Sequence, residues 1–153
     1  MSLDVDVATD GLRGPLPLAR QTIADLARKT LRAERVRDAL LSITLVDRRT
    51  IARLNRRHLG HLGPTDVISF GFERVSAHDP VVGDVYIAPE IGRQNARERG
   101  VPPREELARL VVHGVLHVLG YDHPDHDGER ESSSMWRRQE RLLRRWAVRR
   151  SRQ

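Results

Sequence analysis

The sequence contains no cysteine, which excludes disulfide bonds and metal sites built on thiolates. It also has no apolar run that approaches the roughly 18 residues needed for a membrane-spanning helix. The first ten residues, MSLDVDVATD, lack the basic region and apolar segment that are typical of a secretory signal. We therefore expect a cytoplasmic protein.

Aromatic residues make up only 4% of the chain, and Lys29 is the only lysine among 27 basic residues. So few aromatic side chains leave little capacity for stacking nucleobases, and strong sequence preference toward a nucleic acid is not expected. The net charge of +6 nevertheless favours an acidic polymer as partner. Arginine is well suited to phosphate, but a genomic codon bias toward arginine would produce the same composition.

The length of 153 residues, with 39% apolar and 31% charged residues, is typical of one globular domain. Apolar and β-branched patterns predict strands at 3–7, 41–46, 67–70 and 82–88, with Gly83 as a candidate bulge. Helical spacing, caps and prolines predict helices at 18–32, 47–55, 89–100, from 103 onward, and at 128–149. We expect an α+β fold: a single domain over residues 1–153, with a small mixed sheet of about four strands and about five helices.

Three histidines lie in one short stretch, HGVLHVLGYDH. His113 and His117 are one helical turn apart, so their imidazoles project from the same face of a helix. Gly120 favours the left-handed conformation that ends a helix, which allows His123 to return toward the pair. Three neutral imidazoles without cysteine predict one Zn²⁺ per chain, on a zincin-like helix, with a fourth position open to water.

The same spacing is the ligand pattern of metzincin zinc peptidases. Those enzymes place a glutamate, their general base, directly after the first histidine, whereas this chain has Gly114 there. The departure argues against proteolysis. We also expect Gly114 to leave room for a substrate backbone near the metal.

The general base is not identified by the sequence. Zinc itself lowers the pKa of bound water to about 7. Asp122 is a candidate base, and a role in orienting the third histidine or forming the turn is the alternative. His126 is either a fourth ligand or an exposed turn residue. Nearby carboxylates are expected to cap the last helix: Asp125, Asp127 and Glu129.

Two groups of arginines carry much of the positive charge. One precedes the turn at Pro64: Arg53, Arg56 and Arg57. The other lies in the last helix: Arg137, Arg138, Arg141, Arg144, Arg145, Arg149 and Arg150. The second group is either a solvated helix face or a surface for RNA phosphates.

Three stretches together resemble the YbeY endoribonucleases, a family of bacterial metalloproteins. The first is 113–123, with its Gly114 and its Tyr-Asp-His ending; the second is Leu54-Asn55 followed by PTDVISF at 64–70; the third is GDVYIAP at 83–89. The resemblance implies a single-strand-specific endoribonuclease that acts in 3′-end maturation of 16S rRNA and in ribosome quality control. It also implies that His113, His117 and His123 are zinc ligands and act in catalysis through the metal.

The resemblance further implies ribosomal subunits, a small-subunit ribosomal protein and an Era-type GTPase as partners. The family usually carries an arginine five positions before the proline of the second stretch, and here that position is Leu59. Arg56 and Arg57 are candidates to reach the same cavity, and Asp84 in the third stretch is a further candidate for substrate binding.

Two other functions remain open. Zinc can hold the fold of a ribosome assembly factor that does not cut RNA, and Leu59 adds weight to this alternative. A zinc peptidase is the second alternative, which Gly114 disfavours.

Overall fold

A four-stranded sheet forms the centre of the protein in the computed structural model, which describes residues 1–121 and 133–151. Its strands are β1 Leu3–Asp10, β2 Ala39–Val46, β3 Val67–Phe72 and β4 Val81–Ile87. The strand order is β1-β2-β4-β3. The first three strands of this order are parallel, whereas β3 runs antiparallel to β4. The sheet is therefore mixed, as the sequence predicts.

Five helices accompany the sheet in the described part of the chain. They are α1 Arg20–Ala33, α2 Arg48–Leu54, α3 Pro89–Arg99, α4 Pro103–Val118 and α5 Ser134–Ser151. A single π-helical turn, Asn55–Leu59, continues α2 and ends at Gly60, whose φ is 69°. The predicted α+β domain is confirmed. The predicted start of the last helix at residue 128 lies outside the described residues.

The two faces of the sheet are covered unequally. Along β4 the odd-numbered residues are buried and the even-numbered ones are half-buried, because successive side chains of a strand point to opposite faces. The main core lies on the odd-numbered side, where α1 packs on β1 and α4 packs on β3 and β4. A smaller cluster contains Ile51 of α2 together with Val46, Ile68 and Ala88.

Helix α4 packs against both the sheet and the neighbouring helices. It contacts β3 and β4 of the sheet and also α1, α3 and α5. Every residue from Glu106 to Val112 is buried. Its first turn carries Pro103 and two glutamates, which suit the positive end of the helix dipole. This packing holds the histidines of α4 in a rigid frame.

Gly83 permits the close contact between the end of α4 and the sheet. A Cβ atom at this position would lie 2.5 Å from Cγ1 of Val118. Gly83 pairs in regular register with Leu41 on one side and Gly71 on the other. The predicted bulge at Gly83 is therefore wrong, and the residue serves helix–sheet packing instead.

Within the described residues, no helix is both long and apolar enough to span a membrane.

Candidate metal centre and its cavity

His113 and His117 lie on one face of α4, as their spacing predicts. Their ring centroids are 5.4 Å apart and the ring planes make an angle of 72°. Both side chains line a cavity of about 310 Å³. The structure therefore brings two of the three candidate zinc ligands together beside a space that a ligand can enter.

The third candidate ligand, His123, lies outside the described residues, as does Asp122. Gly120 has a φ of 101°, so the chain turns after α4 as predicted. Among residues 1–121 and 133–151, no three His, Asp or Glu side chains are grouped so as to hold a metal ion. The three-histidine site thus stays a prediction that depends on His123. His126 and the carboxylates of Asp125, Asp127 and Glu129 also fall outside the described part.

The surroundings of His113 fit a role as metal ligand. Its Nδ1 atom lies 2.6 Å from Oε1 of Gln139, a fully buried residue of α5. Metal-bound histidines commonly use their other ring nitrogen in this way, with a hydrogen bond that orients the ring. A hydrogen bond through Nδ1 leaves Nε2 as the ligand atom. Imidazole nitrogens without thiolates are a donor set that zinc accepts.

Gln139 was not singled out by sequence reasoning, although a signal existed. It lies on the buried side of α5, where the other members at helical spacing are apolar: Met135, Leu142, Leu143 and Trp146. A polar residue in an apolar stripe must find a hydrogen-bond partner inside the protein. The partner itself, on another helix, is not visible in the sequence.

An ion-pair cluster one helical turn before His113 joins α4 to α5. Nε and Nη2 of Arg109 bond the two carboxylate oxygens of Glu140 at 2.9 and 3.0 Å, and Nη1 lies 2.7 Å from Oε1 of Glu106. Burial by itself lowers the pKa of Arg109, but the hydrogen bonds to Glu140 and Glu106 outweigh it and raise the pKa. Burial raises the pKa of Glu140, and the hydrogen bonds from Arg109 and Gln139 reverse this and lower it. Both groups are therefore charged at neutral pH.

A partly exposed arginine and a tryptophan form another part of the cavity wall. The guanidinium carbon of Arg99 lies 5.1 Å from the ring centroid of Trp136, within the range of a cation–π contact. Nε of Arg99 is 3.6 Å from the buried Glu106, and 39% of the Arg99 side chain is exposed. Neither residue was predicted as a site residue. Both belong to segments whose position relative to the histidines depends on the tertiary fold.

Leu59 lies in the cavity wall and is 46% exposed. It shares the inner side of the π-helical turn with Asn55, four positions earlier, which also lines the cavity. Arg56 and Arg57 are exposed and lie outside the cavity lining. In this structure neither arginine contributes to the cavity wall, and their role in substrate binding stays a prediction.

Asp84 lies on β4 between Gly83 and Val85, two residues that face α4. Since side chains alternate along a strand, Asp84 points to the opposite face of the sheet. The structure therefore does not bring Asp84 to the cavity. This candidate for substrate binding is separated from His113 and His117 by the sheet itself.

Gly114 faces the sheet and not the cavity. A Cβ atom here would lie 2.6 Å from Cγ1 of Val85, and the carbonyl oxygen of Gly114 accepts a 3.0 Å hydrogen bond from Oγ of Ser69. The predicted room for a substrate backbone at Gly114 is therefore wrong, because β3 and β4 occupy that space. A glutamate has no room in this packing either, so the general base of metzincins has no counterpart at this position.

The arginines of α5 differ in their surroundings. Nη2 of Arg138 donates to the carbonyl oxygen of Ala33 and to Glu34 at 3.1 and 3.2 Å, which ties α5 to the end of α1. Arg141, Arg144 and Arg145 are exposed. One of the predicted basic residues is thus a structural contact, and these three remain accessible to a partner.

Comparison with known proteins identifies the family of this chain. The family model described as Endoribonuclease YbeY matches residues 15–147. Proteins named Endoribonuclease YbeY are similar to this chain in Acidothermus cellulolyticus, at 40% identity over 136 residues and 81% of each chain, and in Thermobifida fusca, at 37% identity over 152 residues and 94% of each chain. The solution structure of TM1509 from Thermotoga maritima is similar with a TM-score of 0.62 and 26% identity, covering 97% of this chain and 93% of that one. This chain belongs to the YbeY endoribonuclease family.

Proposed function

We propose that this protein is a zinc-dependent endoribonuclease that cuts single-stranded RNA, acting in 3′-end maturation of 16S rRNA and in ribosome quality control. The observation that carries the proposal is the pair His113 and His117 beside a cavity of about 310 Å³, in a chain of the YbeY family. The finer substrate assignment comes from the resemblance of the three sequence stretches.

His113 and His117, with His123 as third ligand, would hold the zinc ion. When bound, zinc supplies a Lewis acid that polarises a phosphate oxygen and lowers the pKa of a water molecule. The protein itself contributes orientation and charge. Gln139 orients the ring of His113, and Arg99 presents a cation at the cavity wall to attract the phosphate backbone. Asp122 stays the candidate base.

The size and lining of the cavity favour an unpaired strand. A volume of about 310 Å³ is at the small end of the range for ligand sites, which suits one nucleotide of a flexible strand better than a rigid duplex. Arg99 covers one face of the Trp136 ring, so among the described residues of the cavity wall this tryptophan offers one remaining face for a base to stack on. So little stacking gives weak sequence preference.

The proposed partners are ribosomal subunits, a small-subunit ribosomal protein and an Era-type GTPase, and the proposed location is the cytoplasm. These follow from the family resemblance. The exposed Arg141, Arg144 and Arg145 support the RNA part of the proposal, because each can neutralise a phosphate.

The deciding experiment is cleavage of an rRNA precursor by the wild-type protein and by His117→Ala, with the zinc content of both measured. We expect His117→Ala to lose both zinc and cleavage. His78→Ala is the matched control, since His78 is exposed in the β3–β4 loop and should leave both unchanged. Cleavage by zinc-free His117→Ala protein, in a preparation cleared of other nucleases, contradicts the proposal.

One alternative has a specific observation in its favour. Leu59 places an apolar side chain in the cavity wall where the family usually carries arginine, which fits an assembly factor that binds zinc for stability and does not cut RNA. If chelation unfolds the protein and the purified zinc-loaded protein never cuts RNA, this alternative is correct. A peptidase is disfavoured by the packing of Gly114, and chelator-sensitive digestion of casein is the result that would revive it.

A further inference from the structure

We propose that Gln139, held in place by Glu140 and Arg109, is a positioning residue that fixes the tautomer of His113 and leaves its Nε2 atom to bind zinc. The inference rests on the proposed zinc site and goes beyond it, because it assigns a role to a chain of residues that do not touch the metal.

The direction of the hydrogen bond between Gln139 and Glu140 is determined by charge. Nε of Arg109 and Nε2 of Gln139 both lie 2.9 Å from Oε2 of Glu140. An ionised carboxylate accepts hydrogen bonds and has none to donate. The NH₂ group of Gln139 must therefore face Glu140, since the flipped amide would place two oxygen acceptors in contact.

This orientation determines the proton on His113. With its NH₂ group toward Glu140, Gln139 presents Oε1 to Nδ1 of His113 at 2.6 Å. An amide oxygen only accepts, so Nδ1 carries the hydrogen and donates it. In a neutral imidazole the other nitrogen then has the free electron pair. Nε2 is accordingly the atom that a metal can bind.

The groups that set this orientation are rigid. Gln139 is 0% exposed and Arg109 is 9% exposed. Arg109 precedes His113 by one turn of α4, so the cation that anchors Glu140 and the histidine that Gln139 orients share one helix. The hydrogen bonds pass from α4 to α5 and back, and they hold the His113 ring at a fixed angle to its own helix.

The loss of this hydrogen bond should weaken zinc binding without removing a ligand. In the other tautomer Nε2 carries the hydrogen and cannot bind the metal. Zinc binding would then include the free-energy cost of moving that hydrogen to Nδ1. Removal of such an orienting partner typically costs about 10–100-fold in metal affinity. A Gln139 that only satisfied a buried polar group would affect stability and leave zinc affinity as it is.

The first test is the tautomer of His113 in the zinc-free wild-type protein, measured by ¹⁵N NMR of the imidazole at a pH where the ring is neutral. We expect the hydrogen on Nδ1. A hydrogen on Nε2 overturns the inference, and this measurement needs neither zinc nor RNA cleavage. It therefore fails or succeeds independently of the proposed function.

The second test is zinc affinity, measured by competition with a chelating dye in the variant Gln139→Met. We expect about 10–100-fold weaker binding for Gln139→Met. Gln94→Met, on α3, is the matched control and should bind zinc as the wild type does. If folded Gln139→Met binds zinc as tightly as the wild type while His117→Ala binds none, the positioning role of Gln139 is overturned and the zinc site stands. If His117→Ala still binds zinc, the zinc site itself is overturned.

Discussion

Single atoms decide how closely α4 approaches the sheet. At Gly114 the space that a Cβ would need is taken by Cγ1 of Val85 at 2.6 Å and by Oγ of Ser69 at 3.3 Å. Val85 is β-branched and buried, so its χ1 angle has few alternatives. The position of His113, the preceding residue, therefore depends on the absence of a side chain at 114.

We expect Gly114→Ala to destabilise the protein, because the usual cost of adding a methyl group to a packed core, about 1–3 kcal/mol, exceeds the gain in helix propensity of about 0.8–1.0 kcal/mol. Gly92→Ala, in α3, is the matched control, because its new Cβ would meet only the end of the Leu110 side chain at 3.3 Å. The better helix propensity of alanine, worth about 0.8–1.0 kcal/mol, should make that variant neutral or more stable. Urea unfolding of both variants measures the difference, and equal stability contradicts the packing argument.

Leu59 stands where the family resemblance implies an arginine, and it lies in the cavity wall. Leu59→Arg should add a cation beside the histidines and strengthen RNA binding. A plot of the logarithm of the RNA association constant against the logarithm of the salt concentration should become steeper by about 0.7, the value for one extra phosphate contact on a single strand. Cleavage should become faster. The measurements are RNA binding at several salt concentrations and the cleavage rate.

Leu62→Arg provides the same change of charge outside the cavity, since Leu62 is 87% exposed and is absent from the cavity lining. We expect this control to leave the cleavage rate close to that of the wild type. Equal acceleration in both variants would mean that general positive charge matters and that the position of Leu59 does not.

At the scale of elements, the contact between α4 and α5 couples stability to the metal site. Arg109 of α4 pairs with Glu140 of α5 through both carboxylate oxygens. The neighbouring Gln139 reaches His113 from the same turn of α5. The contact between these two helices thus includes both the ion pair and the hydrogen bond that orients His113, a candidate zinc ligand.

The ion pair predicts a pH dependence. The pKa of Glu140 is lowered from 4.5 in the folded protein, so the unfolded chain binds its proton more readily. The stabilisation by Glu140 is therefore complete above the unfolded pKa and is lost as the pH falls through the folded pKa. We expect zinc-free Glu140→Gln to lose less stability than zinc-free wild type when urea unfolding is compared at about pH 6 and about pH 3.5. A parallel decline in the two proteins contradicts this assignment.

At the scale of the whole molecule, the described core is built from side chains packed around the sheet. The helix that bears both histidines is packed against β3, β4, α1, α3 and α5. Its apolar side chains join the large core cluster on one face of the sheet. We therefore expect the zinc-free protein to remain folded, with zinc as an additional source of stability.

Zinc should raise the melting temperature of the wild-type protein. A ligand that binds only the folded state at about 1,000 times its Kd stabilises that state by about 4.1 kcal/mol. His117→Ala should melt at one temperature with or without zinc, and His78→Ala should respond as the wild type does. Melting curves with zinc and with chelator measure both effects. Unfolding by chelator alone would favour the assembly factor with a structural zinc.

The sequence by itself determined the local structure and the family. The side-chain periods of strands and helices, the spacing of His113 and His117, and the turn at Gly120 depend on residues close together in the chain, so they are visible without coordinates. The three stretches that resemble YbeY led to the correct family, and the comparisons agree. His123 as third ligand stays a prediction.

Only the tertiary structure decided which residues from distant parts of the chain are in contact. The contact between His113 and Gln139 joins residues 26 positions apart, and the side to which Arg56, Arg57 and Asp84 point depends on how a helix and a sheet are placed around the cavity. The roles of Gly83 and Gly114 were also decided by the tertiary structure. In a sequence, a glycine required by a bulge, by a substrate or by close helix–sheet packing is the same residue. Packing selects among these uses, since contacts between distant segments determine which atoms occupy the space that a side chain leaves empty.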